Sequence, residues 1–240
     1  MTATLPQYFP RQLRDMLLTR GAAMLVIAVV FTLPILMVAL RISQSGAIPQ
    51  SGAAALLDGS LRGTSPFLVM VATYGIIGED IRRGYFRFLF AKPISPVLYY
   101  AQAFLAALIA FLAAQLIVVA VFALVVEPAW PERWLLERTA FFLSFGSVIF
   151  ALSRVLPIDW LIGWLLFGVG SEVRDWYPVS ESLRGKIFNV IFPPSHLMES
   201  GLFPVEGIEW GHVAWVVGYA AMCLAIGLSL VRFMPFGTQR

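Results

Sequence analysis

Residues 78–96 read GEDIRRGYFRFLFAKPISP. Here Arg82, Arg83, Arg87 and Lys92 form the densest basic cluster of the chain, interleaved with Ile81, Tyr85, Phe86, Phe88, Leu89 and Phe90. A short helix of this composition is basic and aromatic with one apolar side, which suits a position flat on a membrane surface rather than across it. Pro93 and Pro96 end it, because proline lacks an N–H and biases the residue before it away from the helical region. Uncharged runs flank the stretch, Gly63 to Gly78 before it and Val97 to Val126 after it. The stretch therefore reads as a charged loop between two membrane spans.

Composition points the same way. Of 240 residues, 59% are hydrophobic and 13% charged, with a mean hydropathy of +0.81. A soluble domain carries about 25% charged residues to cover its surface; this chain has too few, and a polytopic helical membrane protein is the class that fits. The net charge of +3 is small, and arginines stand at the ends of apolar runs, which fits membrane orientation better than nucleic-acid binding. The single cysteine, Cys223, excludes an internal disulfide and any multi-cysteine metal cluster.

Outward from the loop, six spans are expected. Residues 6–20 carry Arg11, Arg14, Asp15 and Arg20 among Tyr8, Leu13, Met16 and Leu17, and read as an interfacial helix rather than a cleavable signal. Gly21 to Leu40 is uncharged for 20 residues, enough for a first span. Residues 42–63, rich in Ser, Gly and Ala, read as a loop, and Gly63 to Gly78 as a short second span. Val97 to Val126 is the third, with Gln115 as its one strongly polar side chain, placed to bond a neighbouring helix or line a pathway. Residues 127–138, EPAWPERWLLER, read as a proline-rich turn with Trp130 and Trp134 at an interface. Thr139 to Ser153, then about Ile158 to Ser171, give the fourth and fifth spans. Residues 172–210 are short apolar pieces broken by proline, expected as a re-entrant or broken segment. His212 to Val231 is the sixth span. No internal repeat, low-complexity tract or linker divides residues 1–240, so a single domain is expected.

Counting Arg and Lys gives the orientation. With both termini inside, Arg11, Arg14, Arg20, Arg82, Arg83, Arg87, Lys92, Arg154, Arg232 and Arg240 are inside, and Arg41, Arg62, Arg133, Arg138, Arg174, Arg184 and Lys186 outside. The inside segments are shorter and their basic density higher, which places 79–96 in the cytoplasm.

Catalytic signatures are missing. There is no G-x-x-x-x-G-K-[ST] phosphate loop and no H-E-x-x-H, and His196 and His212 are too few for a histidine-rich metal centre. Asp58-Gly59 with Arg62 faintly resembles the start of the CDP-alcohol phosphotransferase motif, but Gly75 stands where a later aspartate would be needed. Met222 and Cys223 are adjacent soft ligands, yet neighbours on a helix point about 100° apart and would not face one ion. No bound cofactor and no metal are expected on this chain.

The loop carries a family resemblance. Its D-I-R-R-G-Y-F-R-F-L-F-A-K-P-I-S run resembles the cytoplasmic loop of ABC-2 type transporter permeases, which reads acidic-x-x-x-Gly-Thr-Leu-Glu-x-Leu-Leu-x-x-Pro-Ile/Val-Ser. Asp80 falls on the acidic position, Gly84 on the glycine, Leu89 on the first leucine, and Pro93, Ile94 and Ser95 on the ending. Tyr85 replaces the threonine and Arg87 the glutamate; with Tyr99-Tyr100 this is similar to the branch of nitrous oxide reductase maturation and gliding-type permeases. Residues 189–203, NVIFPPSHLMESGLF, look like a second stretch common in such permeases.

The resemblance implies a permease subunit in the bacterial inner membrane, exporting an apolar or amphipathic substrate. It implies a second permease chain, identical or not, surrounding lipids, and a separate ATPase that carries the ATP and magnesium. That ATPase would dock on Asp80, Arg82, Arg83, Gly84, Tyr85, Phe86, Arg87, Leu89 and Pro93, a coupling helix between spans two and three. The other reading is an accessory or assembly subunit of a larger membrane complex that transports nothing.

Overall fold

The computed structural model describes residues 9–44, 50–82, 84, 95–125, 132–153, 155, 159–169, 192–193 and 209–233. Among these residues the chain is all-helical, with no strand. Helix α1 (Phe9–Met16) passes through a π-helical turn (Leu17–Gly21) directly into α2 (Ala22–Gln44). Then come α3 (Gln50–Thr73), the short α4 (Gly78–Arg82), α5 (Pro96–Val125) and α6 (Glu132–Leu152). Helix α7 (Asp159–Trp164) continues as a second π-helical turn (Leu165–Val169), and α8 (Trp210–Phe233) closes the described chain.

Four of these helical stretches are long and apolar enough to cross a membrane: Phe9–Arg41, Pro96–Leu124, Trp134–Leu152 and Trp210–Arg232. The chain is a multi-pass helical membrane protein.

Three expectations change. The segment 42–63 is not a loop throughout, because α3 begins at Gln50 and runs to Thr73. The helix at the place expected for the second span thus starts earlier than Gly63 and stops short of Gly78, where Tyr74–Ile77 form a turn, and it is not among the four long apolar stretches. The turn over 127–138 gives way at Glu132, where α6 starts, so Trp134, Glu137 and Arg138 are helical. The interfacial helix and the first span form one continuous helical run. At the place of the fifth span, residues 159–169 are helical over 11 residues and are not among the four. The re-entrant segment 172–210 lies almost wholly outside the described residues.

The bundle is built around α5 and α6. On α5, Tyr100, Phe104, Ala107, Phe111, Ala114, Val118 and Phe122 recur at three- and four-residue spacing and are buried, while Leu98, Leu105, Ile109, Leu116 and Leu124 face outward. Lipid is as apolar as leucine, so what distinguishes the inner face is close packing rather than hydrophobicity, and small residues serve that best. Ala106, Ala107, Ala110 and Ala114 supply it on α5. Aromatic rings fill the remaining space: Phe104 meets Phe142 at 5.3 Å and Phe150 at 5.4 Å, and Phe111 meets Phe142 at 5.1 Å. A smaller cluster of Ala28, Leu36, Ala39, Leu57, Leu61 and Phe122 joins α2, α3 and α5.

Helices α6 and α8 make the most extensive pairing, and Gly227 lets them approach. A Cβ there would sit 2.8 Å from the Phe150 ring and 3.0 Å from the Ala151 Cα. The second atom is backbone and cannot turn aside. Gly218, on the same helix, would meet nothing within 4 Å. We expect Gly227→Leu to destabilise the bundle by about 1–3 kcal/mol, the usual range for overpacking, and Gly218→Leu to leave it unchanged. Thermal unfolding of the two variants in the same detergent checks this; equal midpoints would contradict the close α6–α8 approach.

Candidate functional site

The basic loop is described at its two ends. Helix α4 contains Glu79, Asp80 and Arg82, and Gly84 follows in the left-handed region at φ +69 with no atom near its absent Cβ. A β-carbon is disfavoured there, which gives the glycine a conformational reason. Asp80 accepts a hydrogen bond from the Tyr100 hydroxyl at 3.4 Å. Arg83, Tyr85, Phe86, Arg87, Leu89 and Pro93 lie outside the described residues.

The start of the loop closes one wall of a cavity. Gly75, in the turn before α4, is left-handed at φ +65, and Glu79 packs so tightly over it that a Cβ would lie 2.8 Å from Oε2. That turn brings Glu79 and Asp80 beside the first turns of α5 and beside α1. The cavity between them has a volume of about 720 Å³. Its polar wall is Gln12, Asp15, Arg20, Tyr74, Glu79, Asp80 and Tyr99, and its apolar floor includes Met16, Ala23, Met70, Val71, Ala103 and Ala106. Arg20 donates to the Ala72 carbonyl at 2.9 Å, and Gln12 Nε2 donates to the Tyr99 carbonyl at 3.3 Å. These two bonds tie the N-terminal helix to the ends of α3 and α5.

Gln115 is fully buried in α5 and donates from Nε2 to Ser65 Oγ of α3 at 3.0 Å. Ser65 Oγ in turn donates to the Leu61 carbonyl at 2.5 Å. Thr64 and Thr73 bond carbonyls of the preceding turn in the same manner, and Ser60 donates to Thr32 of α2 at 3.2 Å. Gln115 thus joins α5 to α3 by a polar contact where lipid could satisfy neither partner.

A second polar group joins Asp58 and Arg62, which the sequence offered only as a faint motif, to Glu137 and Arg138. Arg62 and Asp58, one turn apart on α3, are paired at 2.7 Å. From α6, Arg138 Nη2 lies 3.8 Å from Asp58 Oδ1 and 3.5 Å from Glu137 Oε2. Its guanidinium also lies 6.0 Å from the centre of the Phe141 ring. Glu137 and Arg138 are only 3% and 4% exposed, so two opposite charges are held inside the bundle. Asp58 stands 15 residues before Thr73, the α3 end that faces α4, a rise of about 22 Å at ~1.5 Å per residue. The cluster therefore occupies the far end of the bundle from the cavity. An i,i+4 carboxylate–guanidinium spacing at 58 and 62 was the available signal, and it has meaning only once the segment is helical.

Met222 is half-exposed while Cys223 is buried, so the two sulfurs face different sides of α8. His212 contacts Glu209 at the head of α8. Among the described residues no group of three His, Cys, Asp or Glu side chains could hold a metal ion. No protein-family model, no curated protein and no solved structure matches this chain.

Proposed function

We propose that this chain is the membrane-spanning permease subunit of an ATP-binding cassette exporter of the ABC-2 type, driven by a separate ATPase. The observation that carries the proposal is the loop between α3 and α5. It opens as an acidic helix, turns at a left-handed glycine, carries four basic residues among aromatics and ends on Pro-Ile-Ser. Six crossings complete the scheme, with α3 and the segment beginning at α7 added to the four long apolar helices. Both termini lie in the cytoplasm, and the chain works as a dimer in the bacterial inner membrane.

An aromatic ridge supplies the desolvated anchor that a docking site needs, and guanidinium groups supply bidentate partners for carboxylates on the ATPase. Closure of two ATPase subunits would then draw two such loops together and reshape the path between the permeases. The bundle interior supports the choice of substrate class. Apart from the cluster at Asp58, Arg62, Glu137 and Arg138, the buried polar groups described are hydroxyls and one amide, which suit an apolar or amphipathic molecule.

The test is co-purification. Arg82→Glu with Arg83→Glu should release the ATPase from the permease in a pull-down from native membranes, while the variant keeps the thermal midpoint of the parent. An ATPase that stays attached at parental yield sinks the docking reading. An ATPase that never accompanies the unaltered chain points instead to a non-transporting subunit of a larger complex.

A further inference from the structure

The N-terminal helical run keeps one face against the bundle across its break. Met16 in α1 and Met24 in α2 are both buried although they stand eight residues apart. In an unbroken α-helix that separation would turn the second methionine about 80° away from the first. The π-helical turn Leu17–Gly21 lies between them. A π turn takes one residue more than an α turn, so the chain beyond it is set back by about 100° and the two methionines return to within about 20° of one line. The bond from Gln12 to the Tyr99 carbonyl holds α1 on that line, against the first turns of α5.

The same step aligns the opposite face. Leu18 and Val26 are also eight residues apart, and with Val30 and Met37 they are 59% to 67% exposed, the most exposed large apolar side chains of the run. Carried back along α1, this row meets Arg11 and Arg14, both exposed. The outer face therefore reads, from its N-terminal end, as two guanidinium groups followed by an apolar track. Without the extra residue the track would leave the arginines by about 100°.

Neither arginine has an acidic partner among the described residues, whereas Arg62 is paired with Asp58, and Arg138 with Asp58 and Glu137. Asp15, the acid nearest in sequence, lines the cavity on the flank of α1. Depth follows from length. The run Phe9–Arg41 has 33 residues, or ~50 Å, against a hydrocarbon core of ~30 Å and ~40–45 Å with headgroups. With Arg41 at the other surface, Arg11 and Arg14 stand among headgroups. The track from Leu18 to Val30 then descends ~18 Å, close to the ~15 Å of one leaflet. Guanidinium groups without a counter-charge at that depth take up phosphate oxygens in pairs. An anionic headgroup brings no cation of its own to compete with them, as a choline headgroup does.

We infer that Arg11, Arg14 and the track from Leu18 to Val30 form a site for an anionic phospholipid. The phosphate sits between the two guanidinium groups, and an acyl chain lies along Leu18, Val26 and Val30. The π-helical turn is what brings head and tail contacts onto one line. The inference rests on the membrane-spanning helix alone, so it stands or falls separately from ATPase docking.

The test reads lipid at the site itself. Ala22 is exposed beside the track, and Cys223 is the single cysteine, so Ala22→Cys in a Cys223→Ala chain carries one fluorophore there. The full chain is placed in phosphatidylcholine nanodiscs, and quenching by brominated phosphatidylglycerol is compared with quenching by brominated phosphatidylcholine. Phosphatidylglycerol should be preferred several-fold at position 22. The same fluorophore on exposed Met222→Cys of α8 should show no preference. Arg11→Gln and Arg14→Gln should each lower the preference at position 22, by up to about fivefold, with the thermal midpoint unchanged. Three results overturn the site: equal quenching by the two lipids at position 22, a preference no greater there than at 222, or a preference that survives both glutamine substitutions. A fluorophore at position 22 shielded from both lipids would place another protein chain on this face and overturn it as well.

Discussion

Replacing Arg138 with methionine should cost about 3–5 kcal/mol of stability, the penalty of removing one partner from a buried ion pair. The guanidinium serves Asp58 and Glu137 at once, at 3.8 and 3.5 Å. Asp58 keeps Arg62 at 2.7 Å, and its side chain is partly exposed, so its loss is small. Glu137 is different: at 3% exposure it has little access to water, and it loses the cation next to it in sequence. The cost therefore follows Glu137. Glu137→Gln combined with Arg138→Met should recover most of the loss, because an isosteric uncharged pair needs no counter-charge. Thermal unfolding in detergent measures both variants against the parent. If the single and double variants unfold together, Glu137 reaches water and needs no counter-charge from Arg138. A chain built this way keeps two charges inside for geometry rather than for net stability, since it joins α3 to α6 at one register.

The sequence reveals this cluster poorly for a physical reason. Hydropathy reads polar residues as exposed, and 42–63 looked like a loop because it is rich in Ser, Gly and Ala. In a bundle within lipid the preference inverts. Ser60, Thr64 and Ser65 are buried because their hydroxyls bond helix carbonyls or other helices, while leucines take the outside. The same inversion hid Glu137 and Arg138, which Pro128 and Pro131 made look like part of a turn. Pro131 in fact stands just ahead of a helix that begins at Glu132, the end of a helix at which proline is tolerated. Where charge is simply absent, as over Gly21–Leu40, Val97–Val126 and His212–Val231, helices α2, α5 and α8 were legible almost to their ends. The cavity was not legible at all. Its wall joins Gln12, Glu79 and Tyr99 from three segments, and no local spacing records that meeting. Of the loop residues, Gly84 carries a reason visible in its backbone, and Asp80 turns its carboxylate toward Tyr100.

Gly75→Val should be about as damaging as the loss of Arg138, by a different route. Its φ of +65 lies where a side chain costs about 1–2 kcal/mol, and a β-branched one is a true outlier. Contact adds to this, because a Cβ would fall 2.8 Å from Glu79 Oε2 and 2.9 Å from Glu79 Cβ. The carboxylate can swing away, but the Glu79 Cβ is fixed by the backbone of α4 and cannot. Overpacking of this kind costs about 1–3 kcal/mol, so the two effects sum to roughly 2–5 kcal/mol. Gly84 separates them, since it has nearly the same φ, +69, and open space around its absent Cβ. Gly84→Ala should therefore show the conformational cost alone, and Gly75→Ala that cost plus the contact. In a Glu79→Gly background the excess at Gly75 should vanish, leaving the two alanine substitutions equal. If Gly75→Ala costs no more than Gly84→Ala in the unaltered chain, α4 moves aside freely. In that case the turn does not hold Glu79 at the cavity wall, and the arrangement of carboxylates there is set by α1 and α5 instead.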